Sequence, residues 1–153
     1  MPSPDAADVV LFADCFNRYF EPEYLRATVR VLGAAEVKIH LATAPKGQRP
    51  LCCGRTFLSA GLIDQAKAEA TRLITALFPL AERGLPIIGL EPSCLLTLRD
   101  EIPALLPGPE AETLARQAKM LEEYIAGRAA EGDLTLPLRA PAPRVLLHGH
   151  CHQ

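Results

Sequence analysis

The sequence predicts an α/β protein, a three-layer sandwich with a mainly parallel, Rossmann-like sheet and helices on both faces. Two observations predict it: short, continuous apolar runs alternate with amphipathic helical stretches, and turn-forming residues separate them. Val9-Val10-Leu11-Phe12-Ala13 is such a run, the pattern of a strand buried on both faces, and it stops at Asp14-Cys15. Glu21-Pro22-Glu23 opens a helix with an early proline and first-turn acids; Leu25, Val29 and Leu32 continue it to near Gly33. Val37 to Ala44 is the second strand, and the turn-rich segment Pro45 to Pro50 delivers the chain to Leu51-Cys52-Cys53-Gly54. Leu62, Ala66, Ala70, Leu73, Leu77 and Leu80 stripe a long helix, with Asp64, Lys67, Glu69 and Arg72 on its other side and Pro79 placed to kink or end it. Leu85 to Leu90 is a third buried strand leading into Glu91-Pro92-Ser93-Cys94. Leu95 to Leu106 reads as a short helix interrupted at Pro103, and Pro107-Gly108-Pro109 breaks the chain. Glu110 to Gly127 reads as one amphipathic helix striped by Leu114, Ala118, Leu121 and Ile125. Asp133 to Pro143 is an edge strand or extended linker, and Arg144 to Leu147 is a last buried strand running into His148-Gly149-His150-Cys151-His152-Gln153.

Composition narrows the function classes. The 153 residues are 49% apolar and 22% charged, one domain's worth of globular chain. A formal net charge of −2 leaves no basic surplus for phosphates, and aromatics at 5% with no Trp supply few stacking platforms, so nucleic acid is not an expected partner. No apolar stretch is long enough for a transmembrane segment and the first residues lack a signal-peptide pattern, so the expectation is a soluble, cytoplasmic protein. Five cysteines in such a chain argue against a disulfide framework and leave thiol, metal or cluster chemistry.

The placement of the cysteines gives that chemistry a location. Cys15 follows the first strand, Cys52 and Cys53 the second, Cys94 the third and Cys151 the last. In a parallel sheet these carboxyl ends share one edge, where open α/β folds bind ligands. Thiolates suit iron-sulfur clusters and zinc. Adjacent cysteines in extended chain point in opposite directions, so Cys52-Cys53 requires a bend, which Gly54 permits. Cys94 sits at a helix N-terminus, which favours its thiolate over the others. A single cysteine at a strand end is more often a small buried hydrophobe; the convergence of several weighs against that reading. His40 is read as a structural histidine. His148, His150 and His152 share a face around Cys151, which suits either metal ligation or a fraying chain end. Glu110, Glu112, Glu122 and Glu123 read as a solvated face.

The ordered set Asp14-Cys15, Leu51-Cys52-Cys53-Gly54, Glu91-Pro92-Ser93-Cys94 and His150-Cys151-His152-Gln153 resembles the cysteine-rich CCG domain. That domain occurs in heterodisulfide reductase, in the iron-sulfur subunits of glycolate oxidase, anaerobic glycerol-3-phosphate dehydrogenase and lactate-utilisation systems, and in FAD-linked oxidase and ferredoxin fusion proteins. The resemblance covers nearly the whole chain, residues 1–153, as a single domain. Its Glu-Pro-Ser-Cys and His-Cys-His segments are most similar to the hydroxyacid-oxidase branch. Family members carry two copies of the motif, and His148 to Gln153 looks like the opening of a second, truncated copy. The resemblance implies Cys15, Cys52, Cys53, Cys94 and Cys151 as metal ligands, the last belonging to the second copy. It implies an iron-sulfur cluster, of the 4Fe-4S kind or another, with zinc as the alternative. Thr97 stands where the heterodisulfide branch has the second cysteine of Cys-x-x-Cys, which argues against a five-cysteine noncubane cluster.

The implied function is electron transfer within an FAD-linked 2-hydroxyacid oxidoreductase of the glycolate or D-lactate type, passing electrons from flavin towards a quinone or other carrier. The implied partners are an FAD-binding domain or subunit, a ferredoxin-like iron-sulfur domain and the second repeat, with peripheral attachment to the cytoplasmic side of the inner membrane through them. No segment is recognisable as an FAD site, so no dehydrogenase turnover is expected of the isolated chain. The alternatives are a zinc-bound or metal-free docking module of the same complex and a thiol-disulfide exchange site.

Overall fold

In the computed structural model, residues 2–137 are described, together with Arg144, Leu146, Gly149 and His150. Strands β1 (Val9–Leu11), β2 (Ile39–Leu41), β3 (Ile87–Gly89) and β4 (Ala118–Met120) form one sheet in the order β2-β1-β3-β4, with every neighbouring pair parallel. Helices α1 (Cys15–Tyr19) and α2 (Pro22–Ala34) connect β1 to β2, while α3 (Arg55–Ser59) and α4 (Ile63–Ala81) connect β2 to β3. Helices α5 (Pro92–Arg99), α6 (Glu101–Leu105) and α7 (Pro109–Gln117) connect β3 to β4, and α8 (Leu121–Ala130) follows β4.

Alternation along the strands feeds two cores, which makes the predicted three layers. Val10, Ile87, Ala118 and Met120 join Leu73 and Leu77 of α4, Leu95 and Leu98 of α5, Ile102 of α6 and Leu114 of α7 on one face. Val9, Leu11, Ile39 and Ile88 join Leu32 of α2 and Tyr124 of α8 on the other. The continuous apolar run at Val9 to Ala13 is thereby explained, because each face of β1 meets a helix layer and all five residues are buried. Ala66, Ala70, Leu73 and Leu77 of the expected α4 stripe are buried, whereas Leu62 precedes the helix and is exposed; Pro79 lies within α4 near its end. Among the described residues no helix is long and apolar enough to cross a membrane.

The structure corrects the reading of Glu110 to Gly127 as one helix. Leu114 and Ala118 belong to one core, whereas Leu121 and Ile125 pack against the other. One straight helix cannot present a single stripe to opposite faces of a sheet. The break is held by Glu123, whose carboxylate accepts the Met120 backbone N–H at 2.8 Å and starts α8. Arg99 reinforces it, donating from Nε to the Ala118 carbonyl at 2.9 Å and from Nη1 to Glu123 at 3.0 Å. The Arg99 guanidinium holds the Glu123 carboxyl below the usual carboxylate range against the opposing effect of burial. Glu123, expected on a merely solvated face, is therefore a structural cap.

Of the expected final strand, Arg144 and Leu146 are described: neither belongs to an element and Leu146 is 99% exposed, so among the described residues the fourth strand is β4. Val145, Leu147 and His148 lie outside the described residues, as do positions 138–143 of the expected edge strand or linker. The strand expected over Val37 to Ala44 pairs only at Ile39–Leu41. His40 fits its structural reading: its Nδ1 lies 3.2 Å from the Pro2 carbonyl oxygen.

Strand β4 can be tested by its alternation. Met120 is buried and Lys119 exposed. In urea denaturation, Met120→Ala should cost about 2 kcal/mol or more, and Lys119→Glu should stay within about 0.5 kcal/mol. Equal, small effects would place both residues on a solvent-washed helix.

Candidate functional site

The connections define the site before any side chain does. From β1 the chain moves to β2 on one flank, and from β3 it moves to β4 on the other, so β1 and β3 are adjacent strands whose exits diverge. A crevice opens at such a reversal, outside the carboxyl ends of the strands. Cys15 lies beyond β1 and Cys94 beyond β3, on its two sides.

Each cysteine is placed by a local device. Asp14, 1% exposed, caps α1: one carboxylate oxygen accepts from the Asn17 backbone N–H at 2.9 Å and the other from Asn17 Nδ2 at 2.8 Å. Cys15 is the first residue of that helix. Glu91 caps α5, accepting from the Ser93 N–H at 3.3 Å, and Cys94 is third in that helix and buried. Helix α5 lies tight on β3 because Gly89 has no side chain; a Cβ there would come within 2.9 Å of Leu95 Cδ1. Gly54 follows the cysteine pair at φ +80° and packs on α4, where a Cβ would meet Glu69 Cβ at 3.1 Å and the Ala66 carbonyl oxygen at 3.2 Å. The bend expected after Cys52-Cys53 is therefore present, and both conformation and space restrict it to glycine.

Glu69 departs from its expected place. The sequence sets it on the solvent side of the long helix, but it is 1% exposed. Its carboxylate pairs with Arg49 and accepts from Arg72 Nη1 at 2.7 Å. Arg72 also donates to the Arg49 carbonyl at 2.6 Å, so the loop that carries the cysteine pair is tied to α4 through one buried charge. The signal lies in the spacing: Glu69 is three residues after buried Ala66 and four before buried Leu73. Nearby, Arg55 of α3 pairs with Glu101 of α6.

The structure brings Cys15, Cys52, Cys53 and Cys94 together, and all four are free thiols. Cys15 Sγ is 4.0 Å from Cys52 Sγ, and Cys53, next in the chain, lines one cleft with Cys15 and Cys94. The pair thus spans from the β1 side of the crevice to the β3 side. A cleft of about 420 Å³ opens here, lined by Cys15, Cys53 and Cys94 with Phe16, Phe20 and Glu91. The Phe16 and Phe20 rings stack 5.5 Å apart, and both are exposed at its rim. His150 Nε2 lies 3.9 Å from Glu91 Oε1, which brings one of the alternating histidines to the cleft. Cys151, His148 and His152 lie outside the described residues. Thr97, at the position of the heterodisulfide branch's extra cysteine, is buried and turns its hydroxyl back to the Ser93 carbonyl at 2.7 Å.

Burial and neighbouring groups together hold three of the thiols in their neutral form. The Cys52 thiol is raised well above the ordinary thiol range by its hydrogen bond with Cys53 and by burial. Cys53 is pushed up to about 12: its bond with Cys52 acts in the opposite direction and is outweighed by its bond with Cys94 and by burial. Burial, then neighbouring Cys52 and Asp14, raise Cys15. At neutral pH these three are poor nucleophiles, but a cation among them would reverse the repulsion and draw the protons off. The donor chemistry therefore fits a thiolate-bound iron-sulfur centre. Among the described residues no three Cys, His, Asp or Glu side chains close round a point that could hold a single metal ion. Cys15, Cys53 and Cys94 instead line one cleft, with Cys52 beside Cys15.

Two sets of known proteins are similar to this chain. One subunit of the anaerobic glycerol-3-phosphate dehydrogenase of Escherichia coli K12 is 28% identical over 145 residues, which is 94% of this chain and 35% of the relative, and its counterpart in E. coli O157:H7 matches equally. The D-2-hydroxyglutarate dehydrogenase of Pseudomonas putida is 35% identical over 100 residues, which is 65% of this chain and 9% of the relative. The chain thus spans about a third of the first relatives' length and under a tenth of the second's. No protein-family model and no solved structure matches it, so the likeness to the CCG domain is one of motifs alone.

Raised thiols leave a signature in the pH dependence of folding. The neutral form is favoured in the folded state, so its stabilising contribution is complete below the ordinary thiol value of 9.0 and is lost as pH rises towards the folded values. The urea midpoint of the metal-free chain should fall as pH rises from about 9 towards about 12, and a Cys52→Ser, Cys53→Ser double variant should show a flatter profile over that range.

Proposed function

We infer that residues 1–153 form an iron-sulfur electron-transfer domain of an FAD-linked 2-hydroxyacid oxidoreductase of the glycolate or D-lactate type. The observation that carries this reading is the convergence of four free thiols, from two helix starts and one loop, on one crevice at the sheet edge. Both sets of relatives are dehydrogenases, and one of them acts on D-2-hydroxyglutarate, itself a 2-hydroxyacid. Cys15, Cys52, Cys53 and Cys94 would hold the centre, with Cys151 as a further ligand belonging to the second repeat. When bound, an iron-sulfur cluster accepts the two electrons of a reduced flavin singly and hands them towards a quinone or another carrier.

The chain's own residues supply the setting. Asp14 and Glu91 fix the helix starts that carry Cys15 and Cys94, and Gly54 with the Arg49, Glu69 and Arg72 network fixes the loop between them. Phe16 and Phe20 give the cleft mouth an apolar, solvent-exposed rim. The flavin would sit on an FAD-binding domain or subunit, with a ferredoxin-like iron-sulfur domain as the other partner. Thiol-disulfide exchange fits less well, because Cys15, Cys52 and Cys53 are all held in the neutral form.

Anaerobic reconstitution with ferrous iron and sulfide, followed by metal and labile-sulfide analysis and a visible spectrum, tests the reading. Iron and sulfide should bind together with visible absorption, and serine at Cys52 or Cys53 should abolish or sharply weaken it. Zinc uptake without iron would favour a structural docking module. Rapid alkylation of Cys94 in protein that takes up neither metal would favour thiol exchange. The isolated chain should not turn over glycolate or lactate, whatever its metal content.

A further inference from the structure

The geometry points to a second binding site, separate from the cysteine cleft, for a single small amphiphilic anion: a carboxylate or comparable head on an apolar chain. A cavity of about 380 Å³ lies between α1, α2 and the carboxyl ends of β1 and β2, within the size range of small-ligand pockets. Leu25 and Val29 of α2 and Leu41 of β2 give it apolar walls, and Arg18, Arg26 and Arg30 stand around it. Among the described residues, three guanidiniums and no carboxylate line it, so the charge there is of one sign.

The arginines are available to a ligand. Arg18 Nε is buried with no acceptor, and its Nη2 makes only a 3.5 Å contact with the Ala13 carbonyl. A buried donor of this kind carries an unmet desolvation cost that an incoming anion would relieve. Arg26 pairs with Glu23 one turn away, but both side chains are more than 60% exposed, so that pair is weak and readily exchanged. Arg30 is exposed on the same helix face, four residues after Arg26. A guanidinium cluster above an apolar floor recognises a bidentate anionic head with a hydrocarbon body, and offers nothing to a cation.

Decanoate is a suitable probe, with decanol and decylamine as uncharged and cationic counterparts. Isothermal titration of the full 153-residue chain should show saturable decanoate binding that weakens as salt is raised, with the other two binding at least about tenfold more weakly. Arg30→Glu and Arg26→Glu, each checked by circular dichroism for unchanged folding, should weaken decanoate at least about tenfold together. Equal binding of all three probes, or an unaltered affinity in the double variant, would overturn the proposal. So would sedimentation with anionic vesicles in the absence of any binding to monomeric decanoate, which would make the patch a membrane contact.

Discussion

The parallel pairing of β1 with both β2 and β3 is the constraint on which the rest of the molecule depends. Because β1 is central and all three strands run the same way, their exits open at one edge. Because the chain leaves β1 towards one flank and β3 towards the other, the two exits diverge and leave a crevice between them. Cysteines that are far apart in the chain are neighbours in space for this reason alone. The sheet also explains the apolar strands: with helices on both sides, solvent-facing positions scarcely exist along β1 and β3, and the short strands are hydrophobic throughout.

On that frame, small backbone devices decide the distances between sulfurs. Two acids act as helix caps, at Asp14 and Glu91, and two glycines permit close approach, at Gly54 and Gly89. The thiols that result are close enough to oppose one another's ionisation. That opposition disfavours free nucleophilic chemistry at Cys15, Cys52 and Cys53, and it is the state that a cationic guest among them would relieve.

Much of this was legible in the sequence, and the reasons for the failures are physical. Long periodic segments such as α2 and α4, and the continuous run at β1, announce themselves because many residues share one environment. The convergence of Cys15, Cys52, Cys53 and Cys94 followed from the alternation of strands and helices without any contact being known. Strand β4 was hidden because three residues are too few to display alternation, and its flanking apolar positions imitate a continuous helical stripe. Its boundary was nonetheless marked by Glu123, three residues after Met120, in the position where a carboxylate starts a helix. Glu69 defies its expected place because its charge suggests solvent while its spacing sets it among buried residues, and the two arginines that make its burial tolerable come from the fold.

The bond between Glu69 and the cysteine loop bears on how defects in this protein would present themselves. Glu69 touches no sulfur, and it reaches the cysteine loop through Arg49 and Arg72. A lesion there would leave an unbalanced charge in the interior and release the loop, and so imitate the loss of a ligand. On the proposed function, such an allele would resemble a cysteine allele in the iron it fails to hold. Its molecular cause would be an anchor that failed, with every donor atom intact.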